Sequence, residues 1–191
     1  MIREAPAFYE TVWRQSRQDA DWVFIVNIDE FLYHAAGKDY FRHCIREAVT
    51  VVPATGYEML APAFPPADQT LPLSITNGLR AKYMDKLCAF RPDDIRRLNY
   101  SPGRHSAKPR GHIVYPATSE LKLLHYKYLG ESYLVERYAE LRARTPEGDQ
   151  NQGLGVHYFR EPESLVQLHR SLLARAAPVP GLHEPPKASA T

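Results

Sequence analysis

An α/β fold with a mixed sheet and flanking helices is predicted by three features of the sequence. Residues 22–28, "WVFIVNI", are apolar on both alternating sides apart from Asn27, as in a strand covered on both faces. Segments of helical period stand before and after that run. A second strand-like run, "ELKLLHYKY" at 120–128, leads through Gly130 into another helical pattern. With 191 residues, 44% of them hydrophobic and 24% charged, the chain has the length and composition of one domain with a sizeable core.

Taken in order, Phe8, Val12, Trp13 and Ser16 fall on one side of a helix over 6–19, which Pro6 can open from its first turn. The strand 22–28 follows and, being apolar on both sides, is expected at the centre of the sheet. Tyr40, Phe41, Cys44, Ile45, Ala48, Val49 and Val52 keep helical spacing, and Pro53 is expected to end that helix. From Gly56 to Pro116 the apolar pieces "GYEML", "KLCAF" and "HIVY" are short and separated by Pro, Gly, Asp and Asn. They predict short strands joined by long loops, where function tends to sit. After the strand at 120–128, Tyr133, Leu134, Tyr138 and Leu141 predict a helix beginning near Gly130, and a last helix covers 161–174. The expected domain spans 1–175. The Pro- and Ala-rich stretch 176–191 is expected to be a disordered tail. There is no internal repeat.

Composition narrows the function classes. Lys+Arg 24 against Asp+Glu 22 gives a formal net charge of +2, too small for a nucleic-acid partner, and no basic run is present. Cys44 and Cys88 lack the neighbours of a zinc site or a disulfide framework, so a reducing cytoplasm is the expected location. The opening "MIREAPAFYETVW" has no basic segment followed by an apolar one. No stretch approaches the roughly 18 apolar residues of a membrane span, so any membrane association is expected to be peripheral.

The segment "DWVFIVNIDEF", residues 21–31, poses the functional question, because an apolar run ends in two consecutive carboxylates, Asp29 and Glu30. In open α/β sheets, ligands bind beyond the carboxyl ends of strands, and period two puts Asn27 and Asp29 on one side there. A hard divalent cation, Mg²⁺ or Mn²⁺, would offset the collected charge. The structural alternative is that the pair caps a loop or the next helix.

"ADWVFIVNIDEFLYH" resembles the metal-binding DxD region of family 2 glycosyltransferases. "KYMDKLCAFRPDDI", "NYSPGRHSAKPRG", "LKLLHYKYLGESYLVERYAELRAR" and "NQGLGVHYF" resemble downstream blocks of a bacterial branch of that family, covering residues 8 to about 160. The resemblance implies part of a Rossmann-like GT-A fold and transfer of a sugar from a nucleotide-sugar donor to the hydroxyl of a glycan-type acceptor. It also implies dependence on Mn²⁺ or Mg²⁺. Asn27 stands where the first Asp of the pattern is usual. Asp29 matches the second and is the expected metal ligand, with Glu30 following it. About two βα units that precede this strand in the family are not in the sequence, so a missing N-terminal partner segment, or an oligomer, is expected to cover the strand's edge.

The remaining site residues are expectations of the same reading. His105, in the Gly-flanked "GRHS", is a second candidate metal ligand, and Asn27, Glu30, His125 and Lys127 are candidates for donor or phosphate binding. Asp85 in "YMDK" and Glu58 in "GYEML" are the candidate catalytic bases. The competing reading from another class is an inactive remnant of such an enzyme that serves as a binding or scaffold module. A haloacid-dehalogenase-like phosphotransferase would need a nucleophilic Asp in a DxDx[TV] frame, which "NIDEF" does not supply.

Overall fold

The computed structural model describes residues 5–182. The predicted first helix forms as a short α1 (Ala5–Thr11) continued by a 3-10 turn over Val12–Ser16. Trp13 is its anchor, buried edge-on against Phe90, whereas Phe8 and Val12 remain exposed.

The strand expected over 22–28 is only β1 (Val23–Phe24), at the edge of the sheet and not its centre. The physical reason is a turn: the Glu30 N–H donates to the Asn27 carbonyl at 3.0 Å, which folds residues 27–30 back on themselves. Ile28 at the tip is 93% exposed. The chain then enters β2 (Glu30–Tyr33). Phe24, Val26 and Phe31 are left partly exposed along this edge.

Helix α2 (Lys38–Arg46) ends well before Pro53. Ala48 takes a left-handed φ of 53°, its N–H bonds the Ile45 carbonyl, and the Val49 N–H bonds the Cys44 carbonyl at 2.9 Å. That pair of bonds is a Schellman stop. Val49 and Val52, read as helical, belong instead to the turn and to β3 (Val51–Ala61), and Pro53 sits inside this strand at a register shift, where a missing N–H is tolerated.

Strand β3 organises the sheet. After α3 (Leu71–Ser74), β4 (Asn77–Arg80) pairs antiparallel with its second half, and β5 (Lys86–Phe90) pairs antiparallel with its first. β6 (Ile95–Arg97) and β7 (Arg110–Gly111) form a separate small ribbon. "HIVY" forms no strand. β8 (Lys122–Leu129) lies parallel to β3 and antiparallel to β2, completing a mixed, curled, seven-stranded sheet. This register places His125 opposite Glu30 on one side and opposite Glu58 on the other.

The predicted turn at Gly130 leads into α4 (Glu131–Arg144). Gly130 has φ 97°, and a Cβ there would stand 3.0 Å from the Ala63 backbone. α4 buries Leu134 and Tyr138, one helical turn apart, with Leu60, Tyr128 and Leu165. Following α5 (Glu147–Gln150), Leu165 belongs to α6 (Pro162–Leu173), close to the predicted last helix. The stretch expected to be a tail is ordered at its start: β9 (Ala177–Pro178) pairs with β4, and Val179 and Leu182 are buried. The rest of that stretch, from 183, lies outside the described residues. Among the described residues no helix is long and apolar enough to cross a membrane.

Candidate functional site

The turn at 27–30 sends its two carboxylates in different directions. The Glu30 side chain goes inward and is fully buried. Its Oε1 receives Lys86 Nζ at 2.6 Å and Asn27 Nδ2 at 3.0 Å, and its Oε2 receives Arg104 Nη2 at 2.6 Å and the Asn27 N–H at 3.0 Å. Arg104, itself 1% exposed, also donates to the Ile25 carbonyl and lies over the Tyr9 and Tyr100 rings. Burial opposes ionisation of Glu30, but Lys86 and Arg104 overcome it and hold the carboxyl below its usual range. Burial likewise opposes the Arg104 charge, and Glu30 restores it. The carboxylate's partners are therefore an ammonium and a guanidinium supplied by β5 and by the "GRHS" turn.

Asn27 and Glu30, predicted to touch the donor, both border the groove described below, but the Glu30 oxygens are occupied by Lys86, Arg104 and Asn27, so that carboxylate is engaged within the protein. The Asn27 Oδ1 faces Tyr9 and Arg104 at 3.4 and 3.5 Å.

Asp29 points outward into a groove of about 560 Å³. Its Oδ2 is 3.4 Å from His125 Nε2, and the other ring nitrogen, Nδ1, is 2.8 Å from Glu58 Oε2. The second Glu58 oxygen accepts the Tyr83 hydroxyl. With an ionised carboxylate at each ring nitrogen, His125 can satisfy both only as the doubly protonated imidazolium. Burial alone would lower its pKa. The hydrogen bonds and charges of Asp29 and Glu58 outweigh burial and push it up to about 9. Asp29 moves the other way, since the His125 hydrogen bond and charge overcome the effect of burial and hold the carboxyl below its usual value. At 31% side-chain exposure, Asp29 still presents oxygen to the groove.

The other predicted residues divide. His105 lines the groove with its Nδ1 2.8 Å from the Tyr83 carbonyl, and Lys127 lines it with its ammonium between two tyrosine rings. Asp85 is not part of the groove wall. It accepts the Gly56 N–H at 2.8 Å and Arg80 Nη2 at 2.6 Å, and so fixes the turn between β4 and β5. Glu58 does line the groove, but both its oxygens are engaged, which suits orienting His125 better than accepting a proton.

Sequence reasoning missed Tyr83, Arg137, His157 and Tyr158, which complete the walls. Arg137 and Tyr133, four apart on α4, were legible as one helical face. Nothing local marks His157 and Tyr158, which reach the groove because Arg142 clamps the Tyr158 and Arg160 carbonyls.

Among the described residues no group of three or more His, Cys, Asp or Glu is arranged to hold a metal ion alone. The Asp29 oxygen that faces the groove is a hard donor of the kind Mg²⁺ or Mn²⁺ prefers. No protein-family model matches the chain, and neither does any curated protein or solved structure.

Proposed function

We propose that the groove binds a nucleotide-sugar and that the protein is a glycosyltransferase of the GT-A type, passing the sugar to an acceptor hydroxyl. One observation supports this reading above the rest. Five stretches far apart in sequence meet in a single groove, represented by Asp29, Tyr83, His105, His125 and His157, and they are the stretches that carry the family resemblance. Independent surface charges have no reason to converge so.

On this reading Asp29 would hold the cation, which would supply Lewis-acid stabilisation of charge on the leaving group. Glu58 and Tyr83 fix the ring of His125, and His125 in turn fixes Asp29 and brings a positive charge to the site. The reaction belongs to the cytoplasm, with the acceptor glycan reached there or at a membrane surface.

Calorimetry of uridine diphosphate with the full chain tests the reading. Binding should tighten by about tenfold or more when Mn²⁺ replaces a chelator, and Asp29→Asn should remove most of that gain. Equal binding with and without Mn²⁺ in the unmodified protein would overturn the donor site.

A further inference from the structure

Lys127 is the cation that the donor site leaves over. It follows His125 by two residues on β8, where the register against β3 shifts, and both side chains line the groove. Its ammonium is held on the α4 side of the groove, 5.5 Å from the Tyr128 ring centroid and 5.1 Å from that of Tyr138. Among the described residues no carboxylate stands within ion-pair distance of it, although Asp29 and Glu58 share the groove. Tyr138 meets Tyr158 edge-on at 5.8 Å, and His157 packs on Tyr158 at 4.0 Å. An ammonium and an imidazole therefore end a tyrosine pair on one wall. Burial, then the charges of Lys127, Arg160 and His105, lower the pKa of His157.

An unbalanced cation in a partly enclosed groove attracts an anion, and tyrosine rings beside it suit the apolar face of a sugar. Asp29 is paired with His125, whereas the Lys127 ammonium rests against the rings of Tyr128 and Tyr138, so the two charges are set on different partners within the groove. We propose that Lys127, with His157 across the tyrosine pair, forms a second anion subsite that takes a carboxylate or phosphate carried by the acceptor saccharide. The word acceptor rests on the glycosyltransferase reading, whereas the preference for an acidic sugar does not.

Ligand-observed NMR titrations of the full chain with glucuronate, glucose 6-phosphate and glucose test the subsite, beside calorimetry of uridine diphosphate with Mn²⁺. At least one acidic sugar should bind about tenfold tighter than glucose, and which one does so identifies the anion as carboxylate or phosphate. Lys127→Met should abolish the preference and Lys127→Arg retain it. His157→Gln should weaken the preference. The acidic sugar should stay bound when uridine diphosphate and Mn²⁺ are added to saturation, its affinity changing by no more than about twofold, which is about 0.4 kcal/mol. Equal binding of acidic and neutral sugars overturns the subsite, as does displacement of the acidic sugar by uridine diphosphate with Mn²⁺. Acidic preference without any Mn²⁺-dependent nucleotide binding upholds the subsite and overturns the donor reading.

Discussion

Asp29 and Glu30 are adjacent and chemically alike, yet the structure uses them in opposite ways. Glu30 lies in a closed cluster with Lys86 and Arg104 in which all three side chains are nearly inaccessible. Asp29 shares an open cluster with His125 and Glu58 whose outer member faces solvent. The closed cluster holds the edge of the sheet together, joining the 27–30 turn to β5 and to the "GRHS" turn. The open one has the same kind of ion pairing but leaves an oxygen at the groove. Position relative to the sheet, not residue type, separates structure from candidate chemistry.

The largest expected effect breaks the closed cluster. Glu30→Ala leaves Lys86 and Arg104 buried without a counter-charge and should cost about 3–5 kcal/mol in urea unfolding. Replacing all three at once, with Glu30→Leu, Lys86→Met and Arg104→Met, should restore much of that stability, because no buried charge is then left alone. A triple variant as unstable as the single one would show that the cluster does more than neutralise itself.

The open cluster should reveal itself through pH. His125 is raised in the folded protein to about 9, and an unfolded-chain histidine titrates near 6.5. Its contribution is fully present below about pH 6.5 and is lost as pH rises through about 9. Stability should fall by on the order of 3 kcal/mol over that window, as followed by thermal melts. Glu58→Gln should narrow the window and shrink the loss. Because the Asp29 carboxyl is held low, its own contribution is present at neutral pH and disappears only as pH falls into the acid range.

Smaller effects sharpen the contrast between the aspartates. Asp85→Ala removes the acceptor of the Gly56 N–H and should cost about 1–2 kcal/mol with nucleotide binding unchanged. Asp29→Asn, partly exposed and with one imidazolium partner, should cost about 1 kcal/mol or less at pH 7. Its larger consequence should be on Mn²⁺-dependent nucleotide affinity. If Asp85→Ala altered that affinity and Asp29→Asn did not, the division between framework and groove would be reversed.

The sequence by itself determined the α/β class, the strand running into a helix at Gly130 and the last helix. These rest on local periodicity and on a backbone turn that needs positive φ, information carried within a few neighbouring residues. It also marked Asp29, Glu58, His105, His125 and Lys127, which reach one groove, because unusual polar groups beside apolar runs are visible without a fold. Tertiary structure alone decided the rest. That "WVFIVNI" is an edge strand cut short follows from the turn closed by Asn27 and Glu30, and from β5 as the available partner. That Val49 and Val52 leave the helix follows from Ala48 at positive φ and from the pull of β3, whose neighbours are about 30 and 70 residues further along the chain. Above all, the different fates of Asp29 and Glu30 depend on where Lys86, Arg104 and His125 arrive. Charge pairing acts over a few ångströms of space, and a linear sequence does not record which distant cations come that close.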